Sequence, residues 1–355
     1  MTSNSILKKF WSGKKVLVTG HTGFKGFWLS LWLERLGAEV TGISLPPNTD
    51  PNLYAISNFS GFHQSIMCDI RDFEALSKHC RSINPEIIFH LAAQPLVRES
   101  YSDSLGTFSS NIMGTANLLE SMKGLSNLES SVFITTDKVY QESKSRKGFK
   151  EDDPLGGYDP YSSSKAACEI VIDSYRKSFF HDVGVPVSSA RAGNVIGGGD
   201  WSKDRLIPDA IRAWQDGIEL NIRSPEATRP WQHVLEPLNG YLILAQEISS
   251  SPDKAQAYNF GPDSDSTASV KDVVEIAREC YGGGKIKYSI ANDGPRESDW
   301  LSLDIEKSKR ILNFQPRWNL HETISHSISW YVDFLSGAKP LTLCNQQIDL
   351  FESSV

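Results

Sequence analysis

The stretch 15–45 limits the fold more than any other part of the chain. KVLVTG (15–20) is a short apolar run ending in glycine, and FWLSLWLERL (27–36) follows it with helical spacing. On a helix, Trp28, Leu29, Trp32, Leu33 and Leu36 share one broad apolar face, and Gly37 stands where a helix stops. AEVTGISL (38–45) then reads as a second strand. Strand, turn, helix and strand in that order form a βαβ unit, whose two strands run parallel in one sheet.

The turn itself is TGHTGFKG (19–26), with glycines at 20, 23 and 26. A bend needs one or two glycines. Three, placed after a strand and opening a helix, fit a tight turn, a close approach of pyrophosphate to the backbone, and close helix–sheet packing. The helix N-terminus favours that diphosphate, Lys25 adds a point charge, and His21 is a loop donor. No GK[ST] closes the loop, so it is not a P-loop. A dinucleotide is the expected ligand. At the end of the second strand Ser44 can bond a ribose hydroxyl, and no arginine stands nearby for a 2′-phosphate, so NAD is preferred to NADP. Asp69 follows the next apolar strand, where it either meets the adenine or caps the following helix.

The alternation continues along the chain. Strands are expected at 65–70, 86–93, 130–140 and 185–197, with helices at 71–83, 104–123 and 161–180 between them. This predicts a Rossmann-type parallel sheet with helices on both faces. After Gly197 the texture changes to shorter elements, including an isolated strand at 219–222 and helices at 236–249, 269–282 and 321–334. The expected organisation is a dinucleotide-binding domain over 10–197 and a smaller mixed α/β substrate-binding domain over 198–340. Residues 233–262 return to the first domain, and 341–355 form a loose tail.

With 355 residues the chain can bury a full core. A net charge of −7 argues against a nucleic-acid partner. The five cysteines form no CxxC pair, so free thiols and no metal site are expected. The N-terminus lacks the apolar run of a signal peptide, and no segment approaches the ~20 apolar residues needed to span a bilayer. A cytoplasmic protein that does not enter membranes is expected.

A second motif adds chemistry. In YSSSK (161–165), Tyr161 and Lys165 are four apart on a helix and share a face. A lysine beside a phenol favours the phenolate, which can take an alcohol proton while hydride leaves the same carbon. Thr136 closes a strand where it can hold the substrate hydroxyl, and Asp137 and Lys138 follow it directly. Ligands in open parallel sheets gather beyond such strand ends. The acidic and basic pair allows more than alcohol oxidation.

Five stretches carry a resemblance across the dinucleotide-binding part: TGHTGFKG, HLAAQ (90–94), NIMGTANLLE (111–120), TTDKVY (135–140) and YSSSK. RAGNVIGGGDW (191–201) and RPWQHV (229–234) extend it through the substrate part. The chain resembles the extended short-chain dehydrogenase/reductases and, within them, the CDP-glucose 4,6-dehydratase group. The resemblance implies NAD as cofactor and CDP-glucose as substrate. It implies that Tyr161 takes the C4 hydroxyl proton as hydride passes to NAD. Water is then eliminated across C5 and C6, and hydride returns to C6. Asp137 is the implied general acid at O6. Lys138 stands where many related dehydratases carry glutamate, and is either the C5 base or a group that positions water or stabilises the enolate. Implied cofactor contacts are Gly20, His21, Gly23, Phe24, Lys25, Gly26, Ser44, Asp69, Ile70, Leu91, Ala92 and Ala93, with Tyr161 and Lys165. Implied substrate contacts are Gln94, Arg98, Asn194, Arg205, Arg229 and Arg296, the arginines suiting a diphosphate. Trp201 and Trp231 either stack near the base or fill the core. A homodimer or homotetramer is implied, pairing through helices 104–123 and 161–180. A nucleotide-sugar epimerase would not need Asp137 and Lys138, and a noncatalytic nucleotide-binding regulator would not turn over.

Overall fold

The computed structural model describes residues 3–143, 147–263, 267–289 and 300–354. Six strands, β1 (Lys15–Thr19), β2 (Glu39–Ser44), β3 (Gln64–Met67), β4 (Ile87–His90), β5 (Ser130–Ile134) and β6 (Val187–Arg191), join Ala257–Asn259 in one sheet. The spatial order is Ala257–Asn259, β6, β5, β4, β1, β2, β3, and every pairing is parallel. Thr19 at the end of β1 lies opposite Ile43 on one side and His90 on the other. The chain runs outward from β1 in both directions, so a crevice opens beyond the carboxyl ends of β1 and β4.

β4, β5 and β6 are buried along their whole length, as a sheet covered on both faces requires. One face packs on Trp28, Trp32, Tyr241 and Leu242, and the other on Leu76, Leu118, Leu119 and Ile172. The helix Leu235–Ser250 lies against β5, and Ala257–Asn259 extends the main sheet. Beyond Arg191 the other strands have two or three residues each. Leu220–Ile222, expected alone, pairs in parallel with Ile286–Tyr288, and Thr228–Arg229 pairs antiparallel with Ala268–Ser269.

Three expectations are corrected. The strand expected over 65–70 ends at Met67, and the helix after it, Phe73–Ile83, is capped by Asp72, whose carboxylate accepts from Ala75 N at 3.1 Å. Asp69 instead holds Arg71. The helices expected at 104–123 and 161–180 both change pitch, through π-helical turns at Ser109–Met113 and Arg176–Phe180. The expected loose tail is a helix, Pro340–Ser353, with Leu343, Cys344, Ile348 and Phe351 buried. Phe351 packs edge-on against Trp32 and Trp318 at 5.6 and 5.1 Å, and its carbonyl accepts from Arg317 Nη1 at 2.7 Å. Apolar positions at three- and four-residue spacing tie this helix to the core.

Glu236 yields a stability prediction. Its Oε1 accepts from Arg317 N and Trp318 N at 2.9 and 2.8 Å, while the buried Oε2 has no partner. Burial pushes its carboxyl up to about 7, against the two backbone donors that favour the anion. The folded protein therefore holds a proton there that the unfolded chain releases near pH 4.5, and the fold loses stability as pH rises from about 4.5 to about 7. Glu236→Gln keeps the acceptor without the charge. It is expected to melt higher than the parent at pH 8 and equally near pH 4.5, as read by calorimetry; the same difference at both pH values would refute the assignment.

Candidate active site

Gly20 has φ +80°, and a Cβ there would stand 2.7 Å from Ala92 N. A Cβ on Gly26 would stand 2.0 Å from Gly20 O, so only glycine lets the helix Phe24–Arg35 begin this close to β1. Gly23 is exposed on the open side of the turn, which leaves the helix N-terminus clear for an anion. Leu91, Ala92 and Ala93 leave β4 half-buried beside it, with Leu91 N donating to Thr19 O at 3.1 Å and Ala92 N to Thr19 Oγ1 at 3.3 Å. Ile70 is buried against Gly114, and Phe24 faces Gly197. These residues make a cradle that fits a dinucleotide diphosphate.

Other members of the expected cofactor set are engaged differently. The His21 imidazole is buried, with Nε2 2.7 Å from Ser65 Oγ and the Tyr54 and Phe62 rings edge-on to it at 5.4 and 5.0 Å. Burial pulls its pKa down to about 4, so a neutral packing group replaces the expected loop donor. Ser44 Oγ lies 2.8 Å from Thr22 Oγ1 at the end of β2. Arg71 is held by Asp69, with Nε 3.0 and 2.9 Å from its two oxygens and Nη2 at 2.6 Å, which neutralises it. Lys25 reaches past the loop into the cleft beyond β5, where burial and the charges of Arg205 and Lys165 pull its ammonium down to about 7.

That cleft is a cavity of about 350 Å³ between the sheet's carboxyl end and the C-terminal elements. Thr136, Asp137, Lys138, Tyr161, Asn194, Arg205, Arg229 and Arg98 all line it. The helix Pro160–Tyr175 delivers Tyr161: proline sits in its first turn, and Asp159 caps it by accepting from Ser162 N at 2.9 Å. A single turn, Asp137–Val139, delivers the acid and the lysine. Thr136 Oγ1 donates to Asp137 Oδ1 at 3.0 Å, and Asn194 Nδ2 donates to Oδ2 at 3.3 Å from a left-handed backbone, φ 48°. Gly193 makes room, since a Cβ there would stand 1.8 Å from Asp137 Oδ2.

Burial raises the Asp137 carboxyl above its usual range although Lys138, Arg229 and Lys25 all favour its anion. A shift in this direction favours the protonated form, which can donate. Burial also raises the Tyr161 phenol to about 12, outweighing the Thr136 hydrogen bond and the Arg205 charge. The Lys165 amine donates to Ile134 O at 3.1 Å. Burial lowers Lys165 in turn.

Gln94 stays out of the cleft wall. Its Nε2 donates to Thr107 Oγ1 at 2.8 Å and to Leu96 O at 3.1 Å, and its Oε1 accepts from Leu96 N, so it shapes the loop that presents Arg98. Arg296 lies outside the described residues. Trp201 belongs to the core, edge-on to Trp330, Tyr331 and Phe334, whereas Trp231 lines the cleft. Sequence reasoning missed Asp200, Asp204 and Arg223. Asp200 binds Arg205 Nη1 at 2.8 Å, and Asp204 lies 3.5 Å from both Arg98 and Arg223. The GGGDWSKD segment supplied the signal for the two acids, as charges in a glycine-rich exit from the sheet.

A dinucleotide cradle, a tyrosine–lysine helix and an arginine-lined second cleft define the class of sugar-nucleotide short-chain dehydrogenases. The family model for GDP-mannose 4,6 dehydratase matches residues 17–327. The CDP-glucose 4,6-dehydratase of Salmonella typhimurium is 43% identical over 355 residues, spanning 98% of this chain and 99% of that one. The structure of Pal from Bacillus thuringiensis superposes with a TM-score of 0.78 at 25% identity, covering 90% of this chain and 99% of that one. MoeE5 in complex with UDP-glucose and NAD gives a TM-score of 0.75 at 25% identity, with coverage of 90% and 99%. The chain belongs to the CDP-glucose 4,6-dehydratase family, within the NAD-dependent epimerase/dehydratase superfamily.

Proposed function

We propose that this enzyme dehydrates CDP-glucose to CDP-4-dehydro-6-deoxyglucose. One observation carries the reading: a buried carboxyl, Asp137, with a raised pKa, stands between the Thr136 hydroxyl and the Asn194 amide in a cleft shared with Tyr161. An epimerase has no step that needs this acid. Identity of 43% along nearly the whole of a CDP-glucose 4,6-dehydratase supports the same reaction and base, and complexes of relatives with NAD support that cofactor. Bound in the glycine cradle, NAD supplies a hydride acceptor and a ring cation that favours the Tyr161 phenolate.

Thr136 holds the C4 hydroxyl, and Tyr161 takes its proton. Lys165 supports that transfer from one helical turn away, its amine retained at Ile134 O until the phenol ionises. The resulting C4 ketone acidifies the C5 hydrogen. Lys138, half-exposed at the cleft wall, is the base that removes it. Asp137 protonates O6 as water leaves. Arg229 and Arg205, with Arg98 at the mouth, face the diphosphate; Arg296 is a further candidate. Helices free of any membrane-length apolar span among the described residues, and five free cysteines, support a cytoplasmic setting. Exposed Leu105, Met113 and Ile170 on the two long helical segments support a homodimer or homotetramer.

The test is a product assay by mass spectrometry, with the protein and NAD offered CDP-, UDP-, dTDP- and GDP-glucose separately. The expected result is loss of one water, about 18 Da, from CDP-glucose in preference to the others. An isomer of unchanged mass would identify an epimerase, and no product from any donor a nucleotide-binding protein.

A further inference from the structure

The segment Thr135–Tyr140 carries three cleft residues, Thr136, Asp137 and Lys138, on one short turn that has little regular structure of its own. Its two ends are fastened to the same buried ion pair. At the front end, Thr135 Oγ1 donates to Glu169 Oε1 at 2.5 Å. At the rear end, the Tyr140 hydroxyl accepts from Arg191 Nη1 at 2.8 Å and donates to Asn259 Oδ1 at 2.6 Å. Glu169 and Arg191 meet at 2.8 Å, with side chains 3% and 4% exposed. Ser189 Oγ adds a 2.7 Å hydrogen bond to the same carboxylate oxygen.

Glu169 also sits one helical turn after Lys165 and two after Tyr161 on the helix Pro160–Tyr175. The pair therefore links three elements: the helix that carries Tyr161, strand β6 through Arg191, and both flanks of the turn that carries Asp137. A buried ion pair is a weak source of stability, because desolvation of both charges offsets their attraction. A fully hydrogen-bonded one, however, fixes the geometry of the groups it touches. Displacement of a reacting group by about 1 Å costs on the order of 10²-fold in rate. The two chemical stages use different residues, and the rear anchor, Tyr140, closes the turn that carries Asp137 and Lys138.

We propose that the Glu169–Arg191 pair is a positioning device that holds the Asp137–Lys138 turn in register with Tyr161, so that elimination follows oxidation without release of the intermediate. Glu169, Arg191, Thr135 and Tyr140 touch no reacting atom and act through the turn. The proposal rests on the assignment of elimination to Asp137 and Lys138.

The test uses Tyr140→Phe and the pair Thr135→Val and Thr135→Ser in the full-length NAD-loaded protein. Reduced cofactor is followed at 340 nm through a single turnover, alongside quenched-flow loss of water. Tyr140→Phe is expected to leave the C4 oxidation rate within about threefold and to slow elimination tenfold or more, so that reduced cofactor accumulates. Thr135→Val is expected to slow elimination as well, and Thr135→Ser, which restores the hydroxyl, to recover it. A lower melting temperature with both stage rates unchanged would show a purely structural pair and overturn the proposal. So would equal loss of both stages. Asp137→Asn, run in parallel, separates the two levels. If it slows elimination selectively while Tyr140→Phe and Thr135→Val do not, the positioning role fails and the acid assignment stands. If it does not, the acid assignment fails and the positioning role falls with it.

Discussion

Tyr161→Phe is expected to lower turnover by ~10³-fold, within the range for loss of a general base or acid, while the protein stays folded and binds both ligands. Phenylalanine keeps the ring that fills its place in the cleft wall, and the Asp159 cap and Lys165–Ile134 contact that fix the helix do not involve the hydroxyl. The loss falls on the first chemical stage, so no reduced cofactor forms at any time in a single turnover. KM for the sugar nucleotide changes little, because the arginines that face its diphosphate are untouched. The pH dependence adds a sign. Burial raises the phenol and the ring cation of bound NAD opposes that rise, so in the parent the phenolate fraction, and with it oxidation, grows with pH until the phenol is ionised. Tyr161→Phe removes that rise. A folded variant with near-parental turnover would exclude Tyr161 as the base.

The βαβ opening was legible because its signals agree: an apolar run, glycines at fixed intervals, then a helical apolar face. The same consistency exposed the helix of Tyr161 and the strand that leads to Thr136, although β5 ends at Ile134, short of the expected 130–140. What escaped the sequence was where side chains turn once the elements pack. His21 reads as a loop donor, yet Gly42 leaves room for its ring on β2, and the imidazole goes there; a Cβ on Gly42 would stand 2.2 Å from it. Gln94 reads as a cleft residue, yet its own loop supplies Thr107 and Leu96 as nearer partners. Nor does local spacing show that a buried carbonyl at the end of β5 holds the Lys165 amine. The Glu169–Arg191 pair is 22 residues apart in sequence, and no local spacing connects it. The C-terminal helix failed for another reason. Its apolar positions were present at helical spacing, but its place at the chain end suggested fraying, and only the packed Trp32 and Trp318 rings show what it covers.

Asp137→Asn tests the step that separates this enzyme from an alcohol dehydrogenase. The substitution keeps size and shape, and the Thr136 hydroxyl can still donate to an amide oxygen. The second oxygen becomes an amide nitrogen facing Asn194 Nδ2, a donor against a donor, which a flip of the Asn194 amide relieves. The fold and the C4 oxidation should survive within a few-fold. Elimination should fall by ~10²–10³, since an amide cannot give its proton to a departing hydroxyl. Reduced cofactor should therefore accumulate in a single turnover and decay slowly, whereas Tyr161→Phe forms none. The pH profile separates the acid from a mere contact. Burial raises the Asp137 carboxyl, so its protonated fraction is high at low pH and falls tenfold per unit once pH passes its pKa. Parental elimination should show that falling limb and Asp137→Asn should lack it. Lys138→Met should slow elimination and leave that falling limb in place. If Asp137→Asn slows both stages alike, or keeps the falling limb, the proton at O6 comes from another group. The candidates are then the cations that share the cleft with it, Lys25 first, because burial and the charges of Arg205 and Lys165 already bring its ammonium down to about 7.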